Sequence, residues 1–219
     1  MKNKDAALIE QAKEIFEKLP SKICGFELEK IFAENDDKFI YFAFEDKKIH
    51  RAVIAYFHEE TQEFKVRVKI GLTEFCLTEF FTEDFNHFSE LIFAELETVI
   101  KNLSAESDLN PLVLEKKFAD WEYGKNLPEQ LEGFELFISP KNPVQFTNGS
   151  HILINYSDFA EKSDLTIYYN VYADNFTSEA RIKSVPHVIY SFDSADLKEL
   201  ETKLAENLAS ELIAIKNAN

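Results

Sequence analysis

Apolar residues recur at helical spacing at Leu8, Ala12, Ile15 and Leu19, with Lys and Glu between them, and the run stops at Pro20. An amphipathic helix is expected from Asp5 to Leu19, with one stripe for packing on a sheet. Five alternating segments follow, at about 26–33, 38–45, 50–58, 63–70 and 73–81, separated by turns too short for a crossover helix. They predict an antiparallel meander. Thr82-Glu83-Asp84 then offers an N-cap and two acids ahead of a second stripe, Phe85, Phe88, Ile92, Leu96, Ile100 and Leu103. Beyond a polar stretch from Ser104 to Pro111, read as a linker, the order recurs. A helix over 112–127, interrupted by Gly124, precedes strands near 134–139, 150–157, 165–173, 177–184 and 186–192, with Asn148-Gly149 as a hairpin turn. A last helix begins at Asp193-Ser194 and carries Leu197, Leu200, Leu204, Leu208, Leu212 and Ile215.

The recurrence extends to identities. Leu19-Pro20 and Gly25-Phe26-Glu27-Leu28 return as Leu127-Pro128 and Gly133-Phe134-Glu135-Leu136, 108 residues on, and the long stripes match position by position at an offset of 112. This reads as a tandem duplication. The expected fold class is α+β: a helix, an antiparallel five-stranded meander and a helix, twice, with helices on one face of the sheet and pseudo-twofold symmetry. The repeats are expected at 1–105 and 106–219, packed as one globular body. The order of elements resembles the duplicated saddle of the TATA-box-binding protein, and the acidic single unit is similar in style to the small α/β chaperones of type III secretion. Neither family's diagnostic motif is present, and topology alone implies no function.

Composition sharpens this picture little. The net charge of -16 is shared, with 14 Lys/Arg against 21 Asp/Glu in residues 1–105 and 10 against 19 in the rest, so both repeats are acidic. Such a field disfavours nucleic acid and anionic membrane as partners. No signal-peptide core and no apolar run of membrane-spanning length is present, so a cytoplasmic location is expected. Cys24 and Cys76 form no Cys-x-x-Cys pattern, and Cys76 is expected to be a buried, reduced thiol.

Candidate chemistry is sparse. Phosphate-binding glycine loops and serine nucleophile elbows are absent, and the nearest metal-like groupings, His58-Glu59-Glu60 and His87-x-x-Glu90, are short of ligands. No catalytic residue, metal or cofactor is expected. The outer face of the meander is more suggestive. A period of two sends Phe39 and Tyr41 there, with Ile54 and Tyr56 on the next strand and Lys65, Arg67 and Lys69 on the one after. Tyr168, Tyr172, Arg181 and Lys183 are the counterparts in the second repeat. Aromatic and basic side chains in one patch suit an interface. The sequence therefore favours a non-enzymatic protein-binding module, chaperone-like or inhibitory, with a protein partner or a second copy on that face. The alternatives are a small-molecule-binding protein or enzyme with a pocket between sheet and helices, and thirdly a nucleic-acid-related role.

Overall fold

A computed structural model of the chain describes residues 2–35, 37–104, 111–147 and 149–218. The expected linker, Asp36 and Asn148 of the expected turns therefore lie wholly or partly outside the described residues. The architecture is α+β with antiparallel sheets, and the chain divides into two compact units, Met1–Ser107 and Asp108–Asn219.

In the first unit, α1 (Lys2–Phe16) leads into β1 (Lys22–Ile23), β2 (Phe26–Asn35), β3 (Lys38–Asp46), β4 (Arg51–His58), β5 (Glu63–Ile70), β6 (Thr73–Thr82) and α2 (Phe85–Leu103), and the six strands pair in chain order. The second unit begins with α3 (Pro111–Glu115), a 3-10 turn (Phe118–Asp120) and α4 (Glu122–Lys125), where one helix over 112–127 is expected. Gly124 is not the break: it lies inside α4, where an added Cβ would come within 2.5 Å of the Trp121 ring. There follow β7 (Gln130–Leu131), β8 (Phe134–Ile138), β9 (Val144–Thr147), β10 (Ser150–Asp158), β11 (Ser163–Asn170), β12 (Asn175–Ile182), β13 (Val185–Ser194) and α5 (Leu197–Asn217). Their sheet runs β13-β12-β11-β10-β8-β7, with β9 also paired to β10.

The repeated Gly-Phe-Glu-Leu stretch is a tight hairpin, which adds a short strand to each expected meander. Cys24 and Gly25 turn β1 onto β2 with φ of +44° and +93°, and Glu132 and Gly133 turn β7 onto β8 with +54° and +97°. Two successive positive φ values suit a two-residue hairpin, and glycine takes the second without a steric cost. The change of offset from 108 to 112 also has a place. In the first unit β2 runs on through an irregularity between Lys30 and Ala33, whereas in the second, Ser139 to Pro143 leave the sheet between β8 and β9. After that point the backbones keep step. Left-handed residues at His50 and Gln62 recur at Lys162 and Asp174. Asp46 and Asp158 accept from amides in the following turns, and Asp84 and Asp196 cap α2 and α5 by accepting from His87 N and Glu199 N at 2.8 and 2.9 Å.

The helix-facing sides are apolar in both units. Phe88, Ile92, Leu96, Ile100 and Leu103 of α2 are buried, as are Leu200, Leu204, Leu208, Leu212 and Ile215 of α5. At about 1.5–3 kcal/mol per large side chain, either stripe is a principal source of stability. Tyr41 touches both first-unit helices, its hydroxyl 3.4 Å from Gln11 Oε1 and its ring 6.4 Å from that of Phe88. Among the described residues, no helix is long and apolar enough to cross a membrane.

Candidate functional site

The expected outer face is only partly assembled. Phe39 and Tyr41 do not belong to it: both are buried, Phe39 pairs with Phe57, and Tyr41 packs on Phe64 and Phe88. The cause is a β-bulge. Ile40 faces Tyr56 and Phe42 faces Ala55, so Tyr41 is an extra residue that reverses the parity of everything before it. The same slip occurs between Ile152 and Ile154, which places His151 beside Tyr169 on the core side. Strict alternation cannot reveal such a bulge.

Ile54, Tyr56, Lys65, Arg67 and Lys69 do share the outer face of β4 and β5, opposite the core-facing Val53, Ala55, Phe57, Phe64, Val66 and Val68. Tyr56 and Lys65 are nevertheless buried, and the cations have local acidic neighbours. Lys65 pairs with Glu63 at 2.8 Å and lies over the Phe81 ring, while Arg67 pairs with Glu74 at 3.1 Å and stacks over Tyr56. Burial, then a hydrogen bond to Cys76 Sγ at 3.2 Å, pushes the Tyr56 hydroxyl upward, so it stays protonated. Cys76 itself is exposed on β6, contrary to the expectation of a buried thiol.

On the second sheet the corresponding face is a polar network. Asn155 donates to Thr166 Oγ1 at 2.7 Å, Ser157 donates to Asn155 Oδ1 at 2.6 Å, and Arg181 reaches Asp164 at 3.2 Å and Glu179 at 3.6 Å. Burial raises the Asp164 carboxyl to about 6, and Arg181 and Asn155 pull it back only in part. Tyr168 and Arg181 are both buried. Tyr172 and Lys183, expected on strands, sit in turns instead, because β11 and β12 end earlier than the hydrophobic pattern suggests. Tyr172 is 80% exposed and lies so close to Gly149 that a Cβ there would come within 2.3 Å of its ring.

Lys183 lies in the turn that leads into β13, the last strand of its sheet among the described residues. Val185, Val188 and Tyr190 are 55%, 72% and 74% exposed, and no charged residue interrupts the strand before Asp193. Its counterpart β6 carries Glu74, Thr78 and Glu79 where β13 has Pro186, Tyr190 and Ser191. Edge strands are ordinarily kept from pairing by charge, proline and bulges; β13 has Pro186 near one end and a register irregularity between Ile189 and Ser194 near the other, with no charge between Val185 and Ser191. Periodicity marked this strand correctly but could not show that it lies at an edge.

Two further places gather polar side chains or leave open space. Asp37, His58 and Glu60 each bring a ligand atom within 4.8 Å of the others. His58 Nε2 is 2.8 Å from Asp37, and Nδ1 accepts from Thr61 N at 3.2 Å, so one ring nitrogen holds the β4–β5 turn and the other ties it to the β2–β3 turn. Asn170, 112 residues on, does the same work by accepting from Tyr172 N and Ala173 N. The second place is an open cleft of about 490 Å³ between α1, the β4–β5 hairpin and the start of α2, lined by Leu8, Gln11, Phe57, Gln62, Phe64, Glu83, Asp84 and Phe85. It holds two carboxylates and no histidine. No family model, curated protein or solved structure matches this chain.

Proposed function

We propose that the protein is a non-enzymatic protein-binding module that takes an extended partner segment along β13. The observation that carries this reading is an edge strand with exposed Val185, Val188 and Tyr190 and no charged side chain from Val185 to Ser191. Strand addition would satisfy the backbone groups of that edge, and the exposed side chains, with Lys183 in the turn before the strand, would select the partner. The contact surface thus moves from the centre of the outer face to its rim. Quantitative pull-down with the wild-type chain and with Val188→Glu/Tyr190→Lys tests it, with light scattering on the purified chain to separate self-association. The paired variant should lose the partner, or the dimer, that the wild type shows; an unchanged partner set, or a monomer that captures nothing, sinks the proposal.

The common order of strands, turns and caps also supports descent of the two units from one duplicated ancestor. Equivalent positions should then tolerate each other's side chains, which the exchange His151→Phe measures.

A further inference from the structure

The grouping His58-Glu59-Glu60 gains in the fold the ligand that it lacks along the chain. Asp37, in the turn between β2 and β3, is brought across to the β4–β5 turn because Lys38 pairs with His58 in the sheet and Glu59 N donates to Asp37 O at 2.7 Å. One ligand atom each from Asp37, His58 and Glu60 then lies within 4.8 Å of the others. Three donors thus converge from two separate turns.

Holding the turn does not require this gathering. At the equivalent positions the second unit has Gly149, Asn170 and Tyr172, and Asn170 organises its turn by accepting from Tyr172 N and Ala173 N, both at 3.0 Å. The first unit also keeps each donor in a form that can take a cation. Lys38 Nζ donates to Asp37 Oδ1 at 2.9 Å, which holds the carboxyl below its usual range and leaves Oδ2 facing His58 Nε2. Glu60 is exposed and has no ion-pair partner among the described residues. On the far side of the ring, His58 Nδ1 lies 3.0 Å from Thr61 Oγ1, and the Thr61 side chain is hydrogen-bonded to the Glu63 carboxylate. A hydroxyl that donates to Glu63 has a lone pair to accept from Nδ1–H. That is the outer hydrogen bond that orients a metal-binding imidazole and frees its Nε2 lone pair.

We propose that Asp37, His58 and Glu60 form a binding site for one divalent cation of the zinc class, with Asp37 Oδ2, His58 Nε2 and a Glu60 carboxylate oxygen as ligands and water completing the coordination. An imidazole among carboxylates selects this class over magnesium and calcium, which take all-oxygen sets. Around such an ion, with ligands at ~2.0–2.2 Å, donor atoms stand ~3.4 Å apart, so His58 and Asp37 part slightly and the exposed Glu60 swings in. The proton between Nε2 and Asp37 moves to Nδ1 and the ion takes its place; Nδ1 then donates to Thr61 Oγ1 instead of accepting from Thr61 N. The ion fastens the β2–β3 turn to the β4–β5 turn. This site is separate from β13 and stands or falls without the strand-addition reading.

The test uses the full-length protein, stripped with a chelator and dialysed free of it, then titrated with zinc chloride by calorimetry and with cobalt chloride by absorbance. One equivalent of zinc should bind and raise the melting temperature, and cobalt should give the visible bands of a low-coordinate site. His58→Asn keeps the side chain that organises this turn in the second unit and should abolish binding. Glu60→Gln, an exposed neutral replacement, should weaken it at least about tenfold, the lower end of what loss of an outer hydrogen-bond partner alone costs a metal site. Cys24→Ser/Cys76→Ser and His87→Ala remove other groups with an affinity for zinc and should change nothing. Circular dichroism confirms that each variant is folded. Failure of the wild-type protein to saturate, binding that survives His58→Asn or ignores Glu60→Gln, loss of binding in the cysteine variant, or displacement of zinc by millimolar magnesium overturns the proposal.

Discussion

The outer faces of the two sheets are built on matching backbone and carry opposite chemistry. Positions 43, 52, 54 and 69 of the first sheet hold Ala, Ala, Ile and Lys; 112 residues on, the second holds Asn155, Asp164, Thr166 and Arg181. The buried stripes of α2 and α5 differ far less, with Leu in place of Phe or Ile at most positions. Core positions answer to volume and to the loss of apolar area from water, which many aliphatic and aromatic residues satisfy. A polar residue on a covered face must instead bring its partners with it. Asp164 is tolerable because Arg181 and the Asn155 amide accompany it. The same contrast separates β6 from β13, and the cleft beside Phe57 and Phe64 from the place that Phe118 fills.

The largest expected effect comes from breaking that last contrast. Phe118→Ala removes a fully buried ring from between Tyr169, Phe176 and Lys116, and should cost about 3–5 kcal/mol. Chemical denaturation with a probe in each unit would place the loss in the second. A cost below about 1 kcal/mol would mean that Phe118 fills no real space, and the comparison of clefts would fail with it.

A smaller effect, visible as pH dependence, belongs to Asp164. Its folded pKa of about 6 lies above the ordinary 3.8, so the folded state holds the proton more tightly than the unfolded chain. The stability associated with that proton is complete below about pH 4 and is lost as pH rises through 6, by up to about 3 kcal/mol. Asp164→Asn should flatten this segment of the stability curve, whereas changing the counterpart, Ala52→Ser, should leave it alone. Identical slopes for wild type and Asp164→Asn between pH 4 and 6 would show that Arg181 holds the carboxylate ionised throughout.

How far these differences were legible depended on their scale. Strand positions, both long stripes and the matching offsets could be read from apolar spacing, since burial of one face imposes a period. The break in the meander at Ser139 to Pro143 was not, and neither was the bulge at Tyr41, because one extra residue leaves no mark in an alternation of Phe, Ile and Tyr that is apolar on both faces. That single slip moved Phe39 and Tyr41 from a supposed binding face into the core. The exposed row on β13 was hidden for another reason: exposure at an edge depends on which strand comes last in the sheet, and the sequence of β13 alone reads as an ordinary amphipathic strand.

The bulge also yields the smallest and most specific prediction. It puts position 39 of the first unit and 151 of the second on the core side, where the first has Phe39 packed at 5.7 Å on Tyr41 and the second has His151. His151 is 1% exposed, its Nδ1 has no hydrogen-bond partner, and burial lowers its pKa so that it stays neutral. An unsatisfied buried polar atom costs about 1–3 kcal/mol, and part of that is recovered when the site becomes apolar. His151→Phe should therefore stabilise the chain by about 1 kcal/mol, a rise of a few degrees in melting temperature for a unit of this size. The reverse exchange, Phe39→His, gives up a ring contact and buries an unpartnered nitrogen, and should cost about 2 kcal/mol. Opposite signs for the two exchanges are what equivalent core positions require. If His151→Phe destabilises, the imidazole is held by something the apolar ring cannot replace, and the equivalence of the two sites ends at the backbone.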